Sequence, residues 1–190
     1  MSVITDNIAK VKNDGTNLYG DDNLCETIAV YDVMTSFGES VDYPKMIERF
    51  SLLRPSIRGN FGTTPELMRQ YLNFAGYETK EIDVNNLKYS DFDKEDYEKL
   101  LEDYDAFILT DWNNSDNGGK AVHTMAITVE KKIDAQTGEI NYKLVRHNDS
   151  NIYTPKEGAE GLYRLLCNYT VDDKGNEVAN GVIQVIGVKK

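Results

Sequence analysis

The sequence predicts an α+β fold in which N-terminal helices pack on a C-terminal antiparallel β-sheet. Apolar residues at helical spacing dominate the chain as far as Tyr104, and runs rich in β-branched and aliphatic residues follow from Ala106 onward. The two kinds of segment do not alternate along the chain. This order is typical of α+β proteins and not of βαβ proteins.

The first predicted helix is the apolar run from Thr27 to Phe37, with Cys25 near its start. Gly38 is expected to cap its C-terminus, because glycine adopts the left-handed conformation at little cost. A second helix is expected from Tyr43 to Phe50.

The third predicted helix begins with Thr64 as its N-cap and Pro65 at its first position, and it ends before Gly76. Its expected apolar face consists of Leu67, Tyr71, Leu72 and Phe74. A strand from Tyr77 to Val84 and an acidic helix from Asp91 to Tyr104 follow. The acidic helix is expected to contribute Phe92, Leu100 and Leu101 to the core.

Runs typical of strands fill the rest of the sequence. They are Ala106 to Thr110, Thr124 to Glu130, Tyr142 to Arg146 and Val182 to Val188. Loops with a glycine at a turn position, around Gly138 and Gly175, favour hairpins between such strands.

Length and charge limit the class of protein. A chain of 190 residues with 40% hydrophobic residues predicts one domain, residues 1–190. A net charge of −11 argues against nucleic acid or anionic lipid as a partner. No apolar run approaches the roughly 20 residues that span a bilayer, so membrane insertion is not expected. The N-terminus lacks the pattern of a secretory signal, and the chain as given is expected to be cytoplasmic, with secretion by another route or excision from a longer chain left open.

Cys25 is the leading candidate for a nucleophile. A thiol in the first turn of a helix faces the positive end of the helix dipole, which favours the thiolate. His123, after Gly118 and Gly119 at the start of an apolar strand, is the candidate base. If the strands on either side of the Gly138 loop pair, His123 lies beside Asn148 and Asp149, either of which could orient the imidazole.

These motifs resemble a known family. The order is a cysteine at a helix start, then the segment Gly62 to Tyr77, then a Gly-Gly-X-X-X-His sequence ending at His123 and an Asn-Asp pair after the next strand. It is similar to that of the papain-like cysteine peptidases, and most similar to the bacterial double-glycine leader peptidases and their stand-alone relatives. The resemblance spans roughly Leu24 to Ser150.

The resemblance implies a papain-like domain that cleaves a peptide or protein amide. Cys25 would be the nucleophile, His123 the general base and Asp149 the orienting residue, with Asn148 as its substitute. An acyltransferase on the same scaffold would use the same residues. Neither a cofactor nor a metal is expected.

The sequence departs from the family's pattern around the cysteine. The family's oxyanion glutamine lies five or six residues before the cysteine, where this chain has Gly20 and Tyr19. Asn17 and Asn23 are the candidate replacements. Glu26 follows the cysteine, where the family has glycine, and a carboxylate there opposes the thiolate if it points inward. An alternative function is therefore a catalytically impaired papain-like domain that acts as a protein-binding or effector module.

Four other residues have simpler interpretations. Trp112 is expected either to shape a substrate pocket or to cover the edge of the sheet. Asp111 begins a sequence that imitates half of a calcium loop but lacks the required glycine and glutamate. His147 is expected to be an exposed residue at a strand end, and Cys167 a core or sheet thiol.

Overall fold

A computed structural model describes residues 25–53, 64–83, 92–115, 119–147, 156–167, 169–171, 177–179 and 182–190. The helices in these ranges are α1 (Cys25–Ser36), α2 (Tyr43–Leu53), α3 (Pro65–Phe74), α4 (Lys94–Asp103) and α5 (Gly158–Leu166). The strands are β1 (Glu78–Ile82), β2 (Ala106–Ser115), β3 (Gly119–Ile133), β4 (Ile140–His147), β5 (Lys156–Glu157), β6 (Tyr169–Val171), β7 (Glu177–Ala179) and β8 (Val182–Lys189).

The described strands form one antiparallel sheet, in which the strand order differs from the order in sequence, and a separate two-stranded antiparallel pair. The sheet has six strands in the order β1-β8-β2-β3-β4-β5, and β6 pairs with β7. Each described pairing is antiparallel. The expected hairpin between β3 and β4 is confirmed, and Gly138 in its loop has a φ of 74°. Helices and an antiparallel sheet therefore make up the fold, as the sequence predicts.

Both faces of the sheet are covered, because side chains of β2 alternate between two hydrophobic clusters. Ala106 and Ile108 pack with residues of α1, α2 and α3 on one face, which we call the α1 face. Phe107 and Leu109 pack with residues of α4 and α5 on the other, which we call the α5 face. Successive apolar residues of β2 thus belong alternately to two hydrophobic cores, one on each face of the sheet.

The first helix is close to fully buried along its middle. Ala29, Val30 and Val33 are 0% exposed, and the helix packs against β3. The chain leaves the helix through Gly38, whose φ of 89° fits the predicted C-cap. The middle of this helix is therefore part of the core on the α1 face.

The third helix begins at Pro65 with Thr64 as its N-cap, as predicted, although the Thr64 side chain makes no capping hydrogen bond. The prediction for Phe74 was wrong, because its side chain is 99% exposed. Phe74 lies in the last turn, about 200° around the helix from the buried Leu72. Met68, at 1% exposure, takes the core position instead.

The sequence did not predict α5, which follows β5 and covers the α5 face. Cys167 is the C-cap of this helix and is buried, so its expected place in the core is correct and a place in the sheet is not. Phe92 is 40% exposed, and its ring packs at a tilted angle against the rings of Tyr97 and Tyr163, at the margin of the same core.

His147 is half-buried and not exposed, which corrects the expectation for this residue. Its Nε2 lies 2.8 Å from Oγ1 of Thr128. The register explains this position, because His147 lies opposite Ala126, whose side chain belongs to the α1 face. Within the described ranges, no helix combines the length and the apolar character needed to cross a bilayer.

Candidate functional site

Cys25 is the first residue of α1, as the sequence predicts, and its side chain is half-buried. Its sulfur lies 3.3 Å from Oε2 of Glu26, the next residue in the helix. It also accepts hydrogen bonds from the backbone N–H and the hydroxyl of Thr124 in β3. The Thr124 hydroxyl lies 3.1 Å from that of Thr110, so the contact is anchored in the sheet.

The charge state of the thiol is opposite to the one that the helix dipole alone would favour. Burial, followed by the Glu26 carboxylate, raises the pKa of Cys25 to about 12, and the hydrogen bonds from Thr124 oppose this rise only in part. Glu26 is only 6% exposed, so water screens its charge poorly. In this arrangement Cys25 is a protonated thiol at neutral pH.

The backbone directions of β3 show where the sulfur lies relative to the sheet. The N–H of Val129 donates to the carbonyl of Asp105, on the β2 side of the strand. Because N–H directions alternate along a strand, the N–H of Thr124 points to the opposite side, toward β4. The Cys25 sulfur that it contacts therefore lies beside β3, on the β4 side of the strand.

His123 is half-buried and directly precedes Thr124 in β3. Across the β2–β3 ladder it lies opposite Asp111. By the same alternation this is a hydrogen-bonded pair, with Cα atoms about 5.5 Å apart and side chains on one face. The thiol and the Asp111 carboxylate thus lie on opposite sides of the strand that carries the imidazole.

Asp111 is 1% exposed. Burial raises its pKa to about 6, while the positive charges of His123 and Arg146 oppose the rise. Arg146 of β4 lies opposite Ile127 of β3, whose side chain belongs to the α5 face. The Arg146 side chain therefore projects from the same face as Asp111 and His123. Asp111 is therefore mainly ionised at neutral pH and interacts with two basic side chains.

A histidine between a carboxylate and a thiol is the arrangement that nucleophilic catalysis requires. The His123 side chain projects from the α5 face, because successive residues of a strand point to opposite faces and Thr124 belongs to the α1 face. To reach the sulfur, the imidazole has to turn toward the β4 side of β3. The structure thus places Cys25 next to the backbone of β3, the strand of His123, and its thiol is hydrogen-bonded to Glu26 and Thr124.

The other predicted site residues fall mostly outside the described ranges. Asn148 and Asp149, the candidate orienting residues, and Asn17 and Asn23, the candidate oxyanion donors, all lie outside them. Trp112 lies in β2 opposite Val122, and only its backbone register is described.

The sequence did not predict that Asp111 lies opposite His123. The sequence predicts pairing of β3 only with β4, and in it Asp111 begins a calcium-like pattern. The signal that could have revealed this pairing is the short distance in sequence between the runs that form β2 and β3, which favours a hairpin and so places Asp111 opposite His123.

Comparison with known proteins adds no family assignment: neither a scan against protein-family models nor a search of curated proteins finds a match to this chain. Among the described residues, no three His, Cys, Asp or Glu side chains are grouped so that they could hold a metal ion.

Proposed function

We propose that this chain is a papain-like cysteine peptidase or amide hydrolase that acts on peptides or proteins, with Cys25 as its nucleophile. One observation carries the proposal: the thiol at the start of α1 contacts Thr124, the residue next to His123 in β3. The nucleophile on α1 is thereby held beside the backbone of the strand that carries the base.

The proposed reaction uses Cys25 and His123 in turn. The imidazole takes the proton of the thiol as the sulfur attacks the carbonyl carbon of the substrate amide. The imidazolium then donates this proton to the departing amine, which leaves a thioester on Cys25. Water, deprotonated by the imidazole, attacks the thioester, and the carboxylic acid product departs as the thiol is restored.

The arrangement described is the resting state under this proposal. Two changes separate it from a reactive state. The Glu26 carboxylate has to leave the sulfur, because an ionised carboxylate at 3.3 Å opposes the thiolate. The His123 imidazole has to turn toward the β4 side of its strand.

The alternative function, a catalytically impaired papain-like domain that binds proteins, is favoured by the same Cys25–Glu26 contact. Under that alternative the buried carboxylate keeps the thiol protonated permanently, and Cys25 contributes packing alone. The two functions make different predictions once Glu26 is neutralised.

The test is the rate of iodoacetamide labelling at Cys25 as a function of pH, read by peptide mass spectrometry. The variants are the parent chain, Glu26→Gln and Glu26→Gln combined with His123→Ala. For a peptidase we expect Glu26→Gln to label rapidly near pH 6, well below the ordinary thiol pKa of about 8.5, and the double variant to lose this labelling. Buried Cys167 is the internal control.

An ordinary thiol profile in Glu26→Gln, unchanged by His123→Ala, would contradict the peptidase and support the binding module. Far-UV circular dichroism of each variant checks that the fold is retained. If rapid labelling is found, a library of peptide amides with fluorogenic leaving groups would identify the substrate class.

A further inference from the structure

We propose that Asp111 is the residue that positions the His123 imidazole, by accepting a hydrogen bond from one ring nitrogen so that the other faces Cys25. This inference rests on the proposed function above. The resemblance to the papain-like peptidases gives this orienting role to Asp149, which follows β4 in the sequence. The inference gives it instead to a residue of β2, the strand before the one that carries the histidine.

The register is the first argument. Asp111 and His123 are direct partners in an uninterrupted run of pairs from Ala106↔Thr128 to Ser115↔Gly119. Side chains of such a pair are nearest neighbours on one face of the sheet. A carboxylate there meets the imidazole without any movement of the backbone.

A local irregularity in the pairing of β2 with β8 is the second argument. The register shifts between Thr110 and Asp111, so that Thr110 pairs with Gln184 and Asp111 with Val182, and Ile183 of β8 is the extra residue of the bulge. Bulges of this kind increase the local twist and redirect side chains, and they are common beside active sites. Here the shift lies at the residue that faces the histidine.

Burial and charge are the third argument. Asp111 is 1% exposed, and a carboxylate so enclosed stays ionised at neutral pH only with basic partners. The charges that act on it come from His123 on β3 and Arg146 on β4. Arg146 can stabilise the carboxylate at its second oxygen while the first accepts the imidazole N–H.

The contact itself is tested without any measurement of activity. Carbon-13 NMR of the side-chain carboxyl of Asp111 is recorded against pH in the parent chain and in His123→Ala. The parent midpoint is expected near 6, and loss of the imidazolium is expected to raise it. An unchanged midpoint in His123→Ala would overturn the inference.

The positioning role is tested by labelling of Cys25 in the Glu26→Gln background. Asp111→Asn keeps the size of the side chain but cannot hold the same tautomer of the imidazole, and Asp149→Asn is the matched competitor. In a serine protease the corresponding change costs about 10⁴ in rate. We expect Asp111→Asn to lower the rate near pH 6 by about tenfold or more, and to move the acid limb of the pH profile toward that of the His123→Ala variant.

The outcomes separate the two proposals. A rate that Asp149→Asn abolishes and Asp111→Asn leaves unchanged would overturn the role of Asp111 and leave the peptidase intact. Labelling that is insensitive to His123 in every variant would refute the peptidase, and with it the positioning role, even where the NMR titration confirms the Asp111–His123 contact.

Discussion

Asp32, in the middle of α1, offers the sharpest test of the energetics. Its side chain is 1% exposed, and neither carboxyl oxygen has a hydrogen-bond partner among the residues that the structure describes. Burial raises its pKa from 3.8 to about 8. An ionised carboxylate without partners in such a core would be strongly destabilising, so the group folds as a neutral acid.

The sign of the effect follows from proton linkage. The unfolded chain releases the Asp32 proton near pH 4, whereas the folded chain keeps it until about pH 8. The stability contribution of the protonated group is therefore fully present below pH 4 and is lost as the pH rises to about 8. At pH 7, about three pH units above the unfolded value, the loss amounts to about 4 kcal/mol at 1.36 kcal/mol per unit.

Asp32→Asn removes this loss, because an amide of the same size cannot ionise. We expect the variant to be more stable than the parent at pH 7, by up to about 4 kcal/mol, and about equal to it near pH 4. The measurement is the free energy of unfolding from urea titrations between pH 4 and 8. Asp42→Asn is the matched control, because Asp42 is exposed and its pKa is lowered by hydrogen bonds from Lys45.

Two results would contradict a neutral, buried Asp32: Asp32→Asn no more stable than the parent at pH 7, or the same dependence of stability on pH in both chains. The first result would mean that the folded carboxyl is not penalised by burial. The second would assign the pH dependence to other groups.

Three further predictions concern the sheet and the two thiols. Gly187→Ala should destabilise the fold by about 1–3 kcal/mol in urea unfolding, because the new Cβ would lie 2.7 Å from the ring of Tyr104; an unchanged midpoint would show that the ring can move. Thr124→Val should raise the pKa of Cys25 further and cost about 1–3 kcal/mol, since Thr110 loses its hydroxyl partner; equal labelling and stability would contradict this. Cys167, whose pKa burial raises to about 11, should label at pH 8.5 only after unfolding, and native-state labelling would show that α5 opens.

The sequence predicted the helices and strands whose patterns are local. The start of α1 at Cys25 and the turn at Gly138 follow from local pattern and backbone conformation, and the structure contains both. It did not predict α5, because two glycines, Gly158 and Gly161, weaken its helical propensity. Burial of Leu162 and Leu165 against the sheet stabilises this helix, which is a tertiary effect.

In the candidate site too, the sequence predicts what local pattern determines and misses what depends on tertiary contacts. Cys25 was predicted from its position in a helix, and that position is confirmed. The contact of buried Glu26 with the thiol depends on the direction of the Glu26 side chain. The sequence does not predict this direction, so it predicts only that Glu26 opposes the thiolate if it points inward. The position of Asp111 opposite His123 depends on which strands pair. The periodic pattern of a strand does not indicate which residue of another strand lies opposite a charged side chain.

Burial is the main reason that the Cys25 thiol is held protonated, and Glu26, which occupies the same first turn of α1, adds to the effect. The N-terminus of a helix stabilises about half a unit of negative charge. A carboxylate in this turn already uses that stabilisation, so a thiolate 3.3 Å away would add a second negative charge in a poorly hydrated place. Deprotonation of Cys25 is thus coupled to the position of Glu26. A group that draws the carboxylate away from the sulfur would lower the pKa of Cys25, and Glu26→Gln reproduces that effect without moving the helix.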